Sequence, residues 1–329
     1  MDHCRRIALA TCANLPDWEV DDAPLHRALI ERGVELLRPA WDEVSFDWSG
    51  CDAVVIRTTW DYMERRAAFI DWAERAGRVT RLFNPAPIVR WNTHKSYLRD
   101  LELAGVPVVP TLWGRAGARL DLREAMHDRG WSRGFIKPAI GATARETMRF
   151  TLTGGLAMAA ENTSRWSGTP PPVRGTVPVP PVRDVAAAQA HVDRLLRAGE
   201  DVLIQPYLSS VETRGEFSAI LIDGEITHAV RKSPVPGDYR VQDDFGARDE
   251  PCVLPDEHVV IARRAFSAVG DLLGEAGRKL LYARVDCLLG DDGSPRLTEF
   301  EAVEPSLFFR HSPAAAVRFA DAVIARLDG

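Results

Sequence analysis

Several features that mark whole classes of protein are scarce or missing in this sequence. The five cysteines are odd in number and never spaced as CxxC, so we expect no disulfide framework, no zinc site and a reducing compartment. No apolar stretch approaches the roughly 20 residues that a membrane helix needs. The first apolar run, residues 7–10, is too short for a signal peptide. We therefore expect a cytoplasmic protein that does not enter a membrane.

The net charge and the absence of two common motifs argue against further classes of protein. The formal net charge of -6 argues against a dedicated nucleic-acid binder, because such proteins usually carry a basic excess. Neither GxGxxG nor GxxxxGK[ST] occurs, so neither dinucleotide nor Walker-type phosphate binding is predicted. The 329 residues are 46% hydrophobic and 27% charged, which is typical of a globular chain of two or three domains.

Strand and helix signals alternate through the first part of the chain. Four short apolar runs read as strands, and two amphipathic segments between them read as helices; the strands fall at 7–12, 34–39, 52–60 and 79–85, and the helices at 23–32 and 67–76. Alternation of this kind is typical of βαβ units around a parallel sheet. We expect a Rossmann-like domain here.

The rest of the chain carries mixed signals and two hairpins. Helices are predicted from Asn92 or Thr93 to Gly105 and over 185–198, 256–276 and 313–327, and strands over 107–111, 134–140, 145–150 and 202–208. Asp223-Gly224 is a strong hairpin signal, and a second hairpin turns at the DDG of 291–293. Residues 161–183 are rich in proline and predict an extended excursion. The fold class is therefore a mixture of α/β and α+β.

Acidic side chains cluster on the second hairpin. Because side chains of a strand alternate between its faces, Arg284 and Asp286 share one face, and Glu299 and Glu301 share a face of the returning strand. Carboxylates brought so close repel each other unless a cation neutralises them, and hard oxygen ligands suit Mg²⁺. The same alternation also fits a polar face turned to solvent.

Basic side chains occur in unusual surroundings at three places. Lys137 lies in the apolar run FIKPAI, where an ammonium group is costly unless it meets an anion. The small-residue loop GATA follows directly and allows close backbone approach to a phosphate. Lys95 lies on a predicted helix, and Lys232 and Arg240 flank a Pro-Gly turn. Together these groups predict an anionic ligand, although exposed lysines and loops are also ordinary solvent-facing features.

In chain order, these motifs resemble the ATP-grasp superfamily, with an ATP-binding domain similar to that of its glutathione synthetase branch. The segments that carry it are NTHKSYLRDLELAGVPVVPT, GFIKPAIGATARET, VLIQPYL, RGEFSAILIDGE, YARVD and LTEFEAVEP. The resemblance implies a Rossmann-like substrate domain at 1–90, a central ATP-grasp subdomain at 91–204 with the insertion 161–183, and a C-terminal subdomain at 205–329. Two subdomains would clamp ATP between them.

The resemblance also implies roles for individual residues. ATP would be held by Lys95, Lys137, Gln205, Tyr207, Leu208 and Glu216, with Glu212 as the alternative to Glu216 at the ribose. Mg²⁺, or Mn²⁺ in its place, would be held by Asp286, Glu299 and Glu301. Arg284, Lys232 and Arg240 would stabilise the intermediate and contact phosphate or a substrate carboxylate. Two departures stand out: Glu301 replaces the usual Asn, and the GATA loop has a single glycine.

A narrower resemblance is to the ligases that close O-ureido-serine to cycloserine. It is carried by LPDWEVDD, VIRTTWDY, RLFNP, RWNTHKSYL and AVRKSPVPGDYRVQ. In VIRTTWDY, which ends a predicted parallel strand, Arg57 would pair with a substrate carboxylate, and Trp60, Asp61 and Tyr62 would form an amino-acid pocket. Trp60 and Tyr62 fit equally well as residues that seal a domain interface.

These resemblances imply an ADP-forming carboxylate–amine ligase of antibiotic biosynthesis that acts on a small amino-acid-like substrate. The implied intermediate is an acyl phosphate. Three alternatives stay open: an amino-acid or dipeptide ligase of specialised metabolism, a small-molecule kinase on the same fold, and a catalytically silent ATP-binding regulator. No nucleic-acid or membrane partner is expected, and a homodimer is left open.

Overall fold

The computed structural model describes residues 4–15, 21–152 and 178–329. Most of the predicted Pro-rich excursion, and the centre of LPDWEVDD, lie outside these described residues. The described residues form three sheets with helices packed against them, which confirms the predicted mixed fold class.

The first sheet is parallel throughout, as the alternation predicts. Its order is β2-β1-β3-β4, from the strands β1 (Arg6–Thr11), β2 (Glu35–Leu37), β3 (Ala53–Thr58) and β4 (Arg81–Phe83). All of β3 is buried, as expected for a central strand of a parallel sheet. The helices are α1 (Ala23–Ile30) and α2 (Arg66–Val79), and α2 continues past Gly77, where the sequence predicts its end.

The second sheet has the order β5-β9-β6-β7-β8, with β7 and β8 parallel and the other pairs antiparallel. Its strands are β5 (Leu112–Gly114), β6 (Arg133–Pro138), β7 (Met148–Thr151), β8 (Arg183–Asp184) and β9 (Val202–Pro206). The accompanying helices are α3 (Ala86–Asn92), α4 (Tyr97–Leu103), α5 (Leu122–His127) and α6 (Val185–Arg197).

Two local predictions in this region differ from the structure. The helix expected from Asn92 or Thr93 begins at Tyr97, and a separate helix, α3, ends at Asn92. The strand expected over 107–111 forms only a single bridge, Val108 to Leu297. Prolines at both ends of that segment have no N–H group to donate to a ladder.

The third sheet is antiparallel, with the order β12-β11-β10-β13-β14. Its strands are β10 (Glu216–Ile222), β11 (Glu225–Ser233), β12 (Arg248–Pro251), β13 (Tyr282–Leu289) and β14 (Pro295–Glu301). Both residues of the predicted Asp223-Gly224 turn have positive φ, as a tight two-residue hairpin turn requires. The helices are α7 (Ser210–Arg214), α8 (Asp256–Leu273), α9 (Glu275–Arg278) and α10 (Pro313–Asp328). The single helix predicted over 256–276 is divided into α8 and α9 at Gly274, which has φ +57. None of the described helices is long and apolar enough to cross a membrane.

Asn84 joins the first sheet to the third. It directly follows β4, has φ +58 and is fully buried. Its side-chain amide donates to the carbonyl oxygens of Tyr282 and Ala302 at 2.9 and 2.7 Å and accepts from the Leu281 amide at 2.8 Å. These bonds hold the start of β13 and the residue after β14 against the parallel sheet.

We expect Asn84→Ala to lower the free energy of unfolding by about 3 kcal/mol or more, because it leaves two carbonyls and one amide buried without partners. Urea denaturation of the purified protein measures this change. The exposed Asn14 provides the matched control, and Asn14→Ala should change stability by less than about 0.5 kcal/mol. Equal stability of the two variants would contradict the joining role of Asn84.

Candidate active site

A cleft of about 300 Å³ opens between the second and third sheets, and residues of the first domain reach its edge. It contains all but three of the residues singled out from the sequence: Trp60, Tyr62, Lys95, Lys137, Gln205, Tyr207, Leu208, Glu216, Lys232, Arg240, Arg284, Asp286, Glu299 and Glu301. Among the described residues, Arg57, Asp61 and Glu212 do not line it. The fold thus gathers side chains that are up to 241 positions apart in a single site, from Trp60 to Glu301.

The carboxylates of the second hairpin meet on the cleft wall. In the β13–β14 ladder, Arg284 lies opposite Glu301, and Asp286 lies opposite Glu299. Carboxylate oxygens of Asp286, Glu299 and Glu301 all lie within 4.8 Å of one another. Asp286 is 1% exposed, so the alternative of a solvent-facing polar surface does not hold for it. Three converging oxygen donors suit a hard divalent cation.

Lysines from two other elements compensate one side of this cluster. The Lys95 ammonium lies 2.6 Å from a Glu299 carboxylate oxygen, and the buried Lys137 lies 3.7 Å from the same oxygen. Burial raises the pKa of Glu299, but Lys95 and Lys137 outweigh this effect and hold that pKa well below its usual value. Burial also lowers the pKa of Lys137, and the attraction of Glu299 offsets only part of that effect. The two ammonium groups therefore face a fully ionised carboxylate.

The opposite side of the cluster is compensated by Lys232 and Arg284. Lys232 lies 2.5 Å from Glu216 and 3.2 Å from Asp286, and Arg284 contacts Asp286 at 2.9 Å and Glu301 at 2.5 Å. Burial raises the pKa of Asp286, but Arg284 and Lys232 together bring it below its usual value. Burial raises the pKa of Glu301 well above its usual value, and Arg284 does not offset that rise. Cations thus alternate with carboxylates along the cleft wall.

The other end of the cleft is largely apolar and aromatic. Gln205 and Tyr207 lie at and just beyond the end of β9; the Gln205 amide donates to the Thr111 hydroxyl at 2.9 Å, and the Phe135 ring packs between those of Tyr207 and Tyr239. Glu212 does not line the cleft; its carboxylate accepts hydrogen bonds from the Tyr207 hydroxyl and from Arg149. A flat apolar slot of this kind suits a purine ring.

The small-residue loop after β6 covers the cleft from one side. Residues 141–145 all line it, and Thr143 and Ala144 have positive φ. Opposite this loop, Arg240 is held by the Asp238 carboxylate at 2.7 Å and stacks over the Phe245 ring at 3.9 Å. Arg145 and Arg240 thus add positive charge to the lining of the cleft at these two segments.

The VIRTTWDY segment divides into residues that reach the cleft and residues that support them. Arg57 is buried and forms a two-point ion pair with Asp22 at 2.9 and 2.7 Å. Asp61 accepts from the Trp41 indole at 2.7 Å and pairs with Arg65. Trp60 and Tyr62 line the cleft. The structure therefore places Arg57 and Asp61 behind the cleft wall rather than on it.

Glu304 lines the cleft and was not singled out by the sequence analysis. It lies three residues beyond Glu301, after β14 has ended, so strand alternation does not indicate its direction. Its carboxylate accepts a hydrogen bond from the Tyr62 hydroxyl, and its backbone carbonyl accepts from the Trp60 indole at 3.2 Å. Burial raises the pKa of Glu304 to about 7, although the Tyr62 hydrogen bond and the Lys95 charge oppose this rise. The only sequence signal for a role of Glu304 in the site is its position in LTEFEAVEP, one of the segments that carry the family resemblance.

Comparison with known proteins assigns the family. Residues 7–84 match the family model described as the N-terminal domain of D-cycloserine synthetase DcsG. The chain is 34% identical over 329 residues to the cycloserine biosynthesis protein DcsG of Streptomyces lavendulae, and the match covers 98% of each chain. The chain belongs to the D-cycloserine synthetase family. The crystal structure of D-cycloserine synthetase DcsG superimposes on this chain with a TM-score of 0.80 at 31% identity, and the match covers 98% of this chain and 99% of that one.

More distant solved structures share the fold of this chain. A D-alanine–D-alanine ligase from Bacillus anthracis, solved in complex with ATP, superimposes with a TM-score of 0.65 over 98% of this chain and 97% of that one. Its identity of 15% makes this a likeness of fold alone. The family assignment confirms the predicted ligase, and the likeness of fold, which extends to a solved ATP-grasp ligase, PsnB, with a TM-score of 0.57, confirms the predicted ATP-grasp architecture.

We expect Lys137→Ala to reduce turnover by about 100-fold or more, because electrostatic contacts to a transferring phosphoryl group are typically worth that much. The exposed Lys279 provides a matched control, and Lys279→Ala should keep full activity. ADP release measures turnover, and circular dichroism checks the fold. Full activity of Lys137→Ala would contradict its place in the site.

Proposed function

We propose that the protein uses ATP to activate the carboxylate of an O-ureido-serine-like amino acid and closes it to a cycloserine-like ring. The observation that carries this proposal is the match over 98% of both chains to a cycloserine biosynthesis protein, in a chain whose cleft holds alternating lysines and carboxylates. The domain boundaries at 90 and 204 belong to the same proposal, with the first domain supplying the substrate wall.

The nucleotide would bind along the cleft from its apolar end to its charged end. Gln205, Tyr207 and Leu208 would hold the adenine, and Lys95 and Lys137 the phosphates. Glu216 is the better candidate for the ribose than Glu212, because only Glu216 lines the cleft. Lys232 pairs with Glu216 in this structure. On ligand binding, Lys232 would replace that carboxylate by a phosphate or substrate oxygen, at little electrostatic cost because both partners are anionic.

Asp286, Glu299 and Glu301 would hold Mg²⁺, or Mn²⁺ in its place. The fit rests on three carboxylates that converge within 4.8 Å and on hard oxygen donors. A bound divalent cation would offset the triphosphate charge. Glu301 supplies a carboxyl group at the position where the glutathione synthetase branch usually has Asn, and a bound cation would favour its ionised form.

The chemistry would proceed in two displacements. A substrate carboxylate oxygen attacks the γ-phosphorus of ATP, an acyl phosphate forms, and ADP leaves. The nitrogen bonded to the side-chain oxygen then attacks the acyl carbon of the same molecule, a C–N bond forms, and inorganic phosphate leaves. Hydrolysis of the carbamoyl group, which consumes water and yields carbon dioxide and ammonia, completes the conversion to cycloserine. Arg284 and Arg240 would stabilise the oxyanion of the addition step.

Trp60 and Tyr62 would form the substrate wall. Both line the cleft beside Glu304, and their segment is held from behind by Arg57, which pairs with Asp22, and by Asp61, which accepts from Trp41. Arg57 would therefore act by positioning the wall through Asp22 rather than by pairing with a substrate carboxylate. A buried guanidinium that already has a two-point partner gains little from a second anion.

We place this activity in the cytoplasm and on a free small molecule, without a nucleic-acid or membrane partner. The net charge of -6 and the five free cysteines support this placement. Size-exclusion chromatography with light scattering would decide whether the protein is the homodimer that the sequence leaves open.

A screen for ADP release with amino acids and ureido compounds tests the proposed function. We expect O-ureido-serine to stimulate ADP release above the rate with ATP alone, and mass spectrometry to show the cyclised product. A dipeptide product would indicate an intermolecular ligase, and a phosphate ester would indicate a kinase; either would overturn the proposal. ATP binding without stimulated ADP release by any compound would indicate a silent regulator.

We expect Asp286→Asn to raise the Mg²⁺ concentration needed for half-maximal activity, because an amide oxygen binds a hard cation more weakly than a carboxylate does. A titration of ADP release against Mg²⁺ at saturating ATP measures the change. Asp271→Asn, at an exposed position on α8, is the control and should leave the titration unchanged. If the Mg²⁺ titration of Asp286→Asn were the same as that of Asp271→Asn, Asp286 would not be a metal ligand.

A further inference from the structure

Glu304 differs from the other acidic residues of the cleft in what surrounds its carboxylate. We propose that Glu304 is the catalytic base that accepts the proton lost by the attacking nitrogen when the C–N bond forms. This inference rests on the proposed ligase function and adds a proton acceptor to it.

The geometry holds Glu304 at the substrate wall. Its backbone carbonyl is anchored by the Trp60 indole at 3.2 Å, and its carboxylate by the hydroxyl of Tyr62, which is 5% exposed. The adjacent residues Val303 and Pro305 are buried, which fixes the backbone on both sides. Trp60 and Tyr62 are also the proposed substrate contacts, so the carboxylate stands beside the place where the substrate would lie.

The charge pattern separates Glu304 from its neighbours. Each other cleft carboxylate that is buried or half-buried has a lysine or arginine nitrogen within 4.0 Å: Lys232 for Glu216 and Asp286, Lys95 for Glu299, and Arg284 for Glu301. Among the ion pairs of the described residues, none includes Glu304. A carboxylate locked in an ion pair is a poor proton acceptor, because protonation breaks the pair. Glu304 is free of that cost.

The groups that face Glu304 leave its carboxyl able to change charge near neutral pH. Tyr62 donates to it, and Lys95 and Arg284 act on it at longer range; the sum of burial and these attractions puts its pKa at about 7. A base whose pKa lies near the working pH is the most effective for proton transfer. No described histidine lines the cleft, so imidazole does not compete for this role.

The proposed step is balanced in atoms and charge. The attacking nitrogen carries one hydrogen, forms the new C–N bond with the acyl carbon, and passes that hydrogen as a proton to the Glu304 carboxylate. The C–O bond to phosphate breaks, and its electron pair leaves with inorganic phosphate. The protonated Glu304 then returns its proton to solvent through the open cleft.

The first test compares Glu304→Gln with the wild-type protein in two reactions. Ring closure should fall by about 10²- to 10⁴-fold, the usual contribution of a general base. Acyl-phosphate formation, trapped by hydroxylamine as the hydroxamate, should persist because that step needs no base. Glu102→Gln, on the exposed face of α4, is the matched control and should leave both reactions intact.

The outcomes separate this inference from the proposed function. If wild-type protein forms no hydroxamate with any candidate substrate, the proposed ligase chemistry fails. If wild-type protein closes the ring and Glu304→Gln does so at the same rate, only the role of Glu304 is overturned. Loss of hydroxamate formation together with ring closure in Glu304→Gln would also overturn it, since the residue would then serve binding or activation.

The second test is the pH dependence of ring closure. Glu304 must be ionised to accept a proton, and burial raises its pKa to about 7, so kcat should fall as pH is lowered through about 7. The Tyr62 hydrogen bond stabilises the ionised carboxylate and lowers that pKa. Tyr62→Phe should therefore move the acidic limb to higher pH, whatever it does to the maximal rate. An unmoved limb in Tyr62→Phe, or a limb that persists in Glu304→Gln, would contradict the assignment.

Discussion

Burial of the carboxylates on β13 and β14 is the constraint on which the site depends. Three carboxylates within 4.8 Å of one another would repel strongly in a cleft shielded from water if no positive charge were near. The compensating ammonium groups come from Lys95, Lys137 and Lys232, which lie on three separate segments of the chain. The charged wall can therefore form only when the second and third sheets pack together. Asn84 hydrogen-bonds the first sheet to the third and so holds the β13–β14 hairpin in position against it.

The choice of basic residue is informative about what the cleft must do. The chain contains only four lysines among its 41 basic residues, and three of them line the cleft. Arginine supplies nearly all other positive charge. An ammonium group is compact and rotates freely, so it can leave a carboxylate and follow a phosphate, whereas a guanidinium is rigid and prefers a fixed two-point partner. This contrast matches the two kinds of position seen here: ammonium groups beside the carboxylates of the cleft, and a guanidinium held by a two-point partner at Arg57.

Much of the fold follows from local pattern, and the exceptions have identifiable causes. The parallel sheet follows from alternation of short apolar runs with helices, and the two C-terminal hairpins follow from their turn residues. Boundaries were less predictable: α2 passes Gly77, and Gly274 interrupts a long amphipathic stretch whose periodicity continues across the break. The segment 107–111 has strand-like composition but packs as an irregular chain, because its prolines cannot join a ladder.

By itself, the sequence determined which chemistry-bearing side chains exist and which face of their strand they share. That information singled out the carboxylates of the hairpin, because strand alternation is local, while the roles of these carboxylates and of the lysines came from the resemblance to a known family. Only the tertiary structure decided which of the nominated residues reach the cleft. Arg57 lies on a predicted ligand-bearing edge, yet it pairs with Asp22 behind the cleft wall. Glu304 lies beyond the end of its strand, yet it lines the cleft, where its carboxylate accepts from Tyr62. The reason is that contacts between distant segments set the direction of a side chain once regular structure ends, and no local periodicity records them.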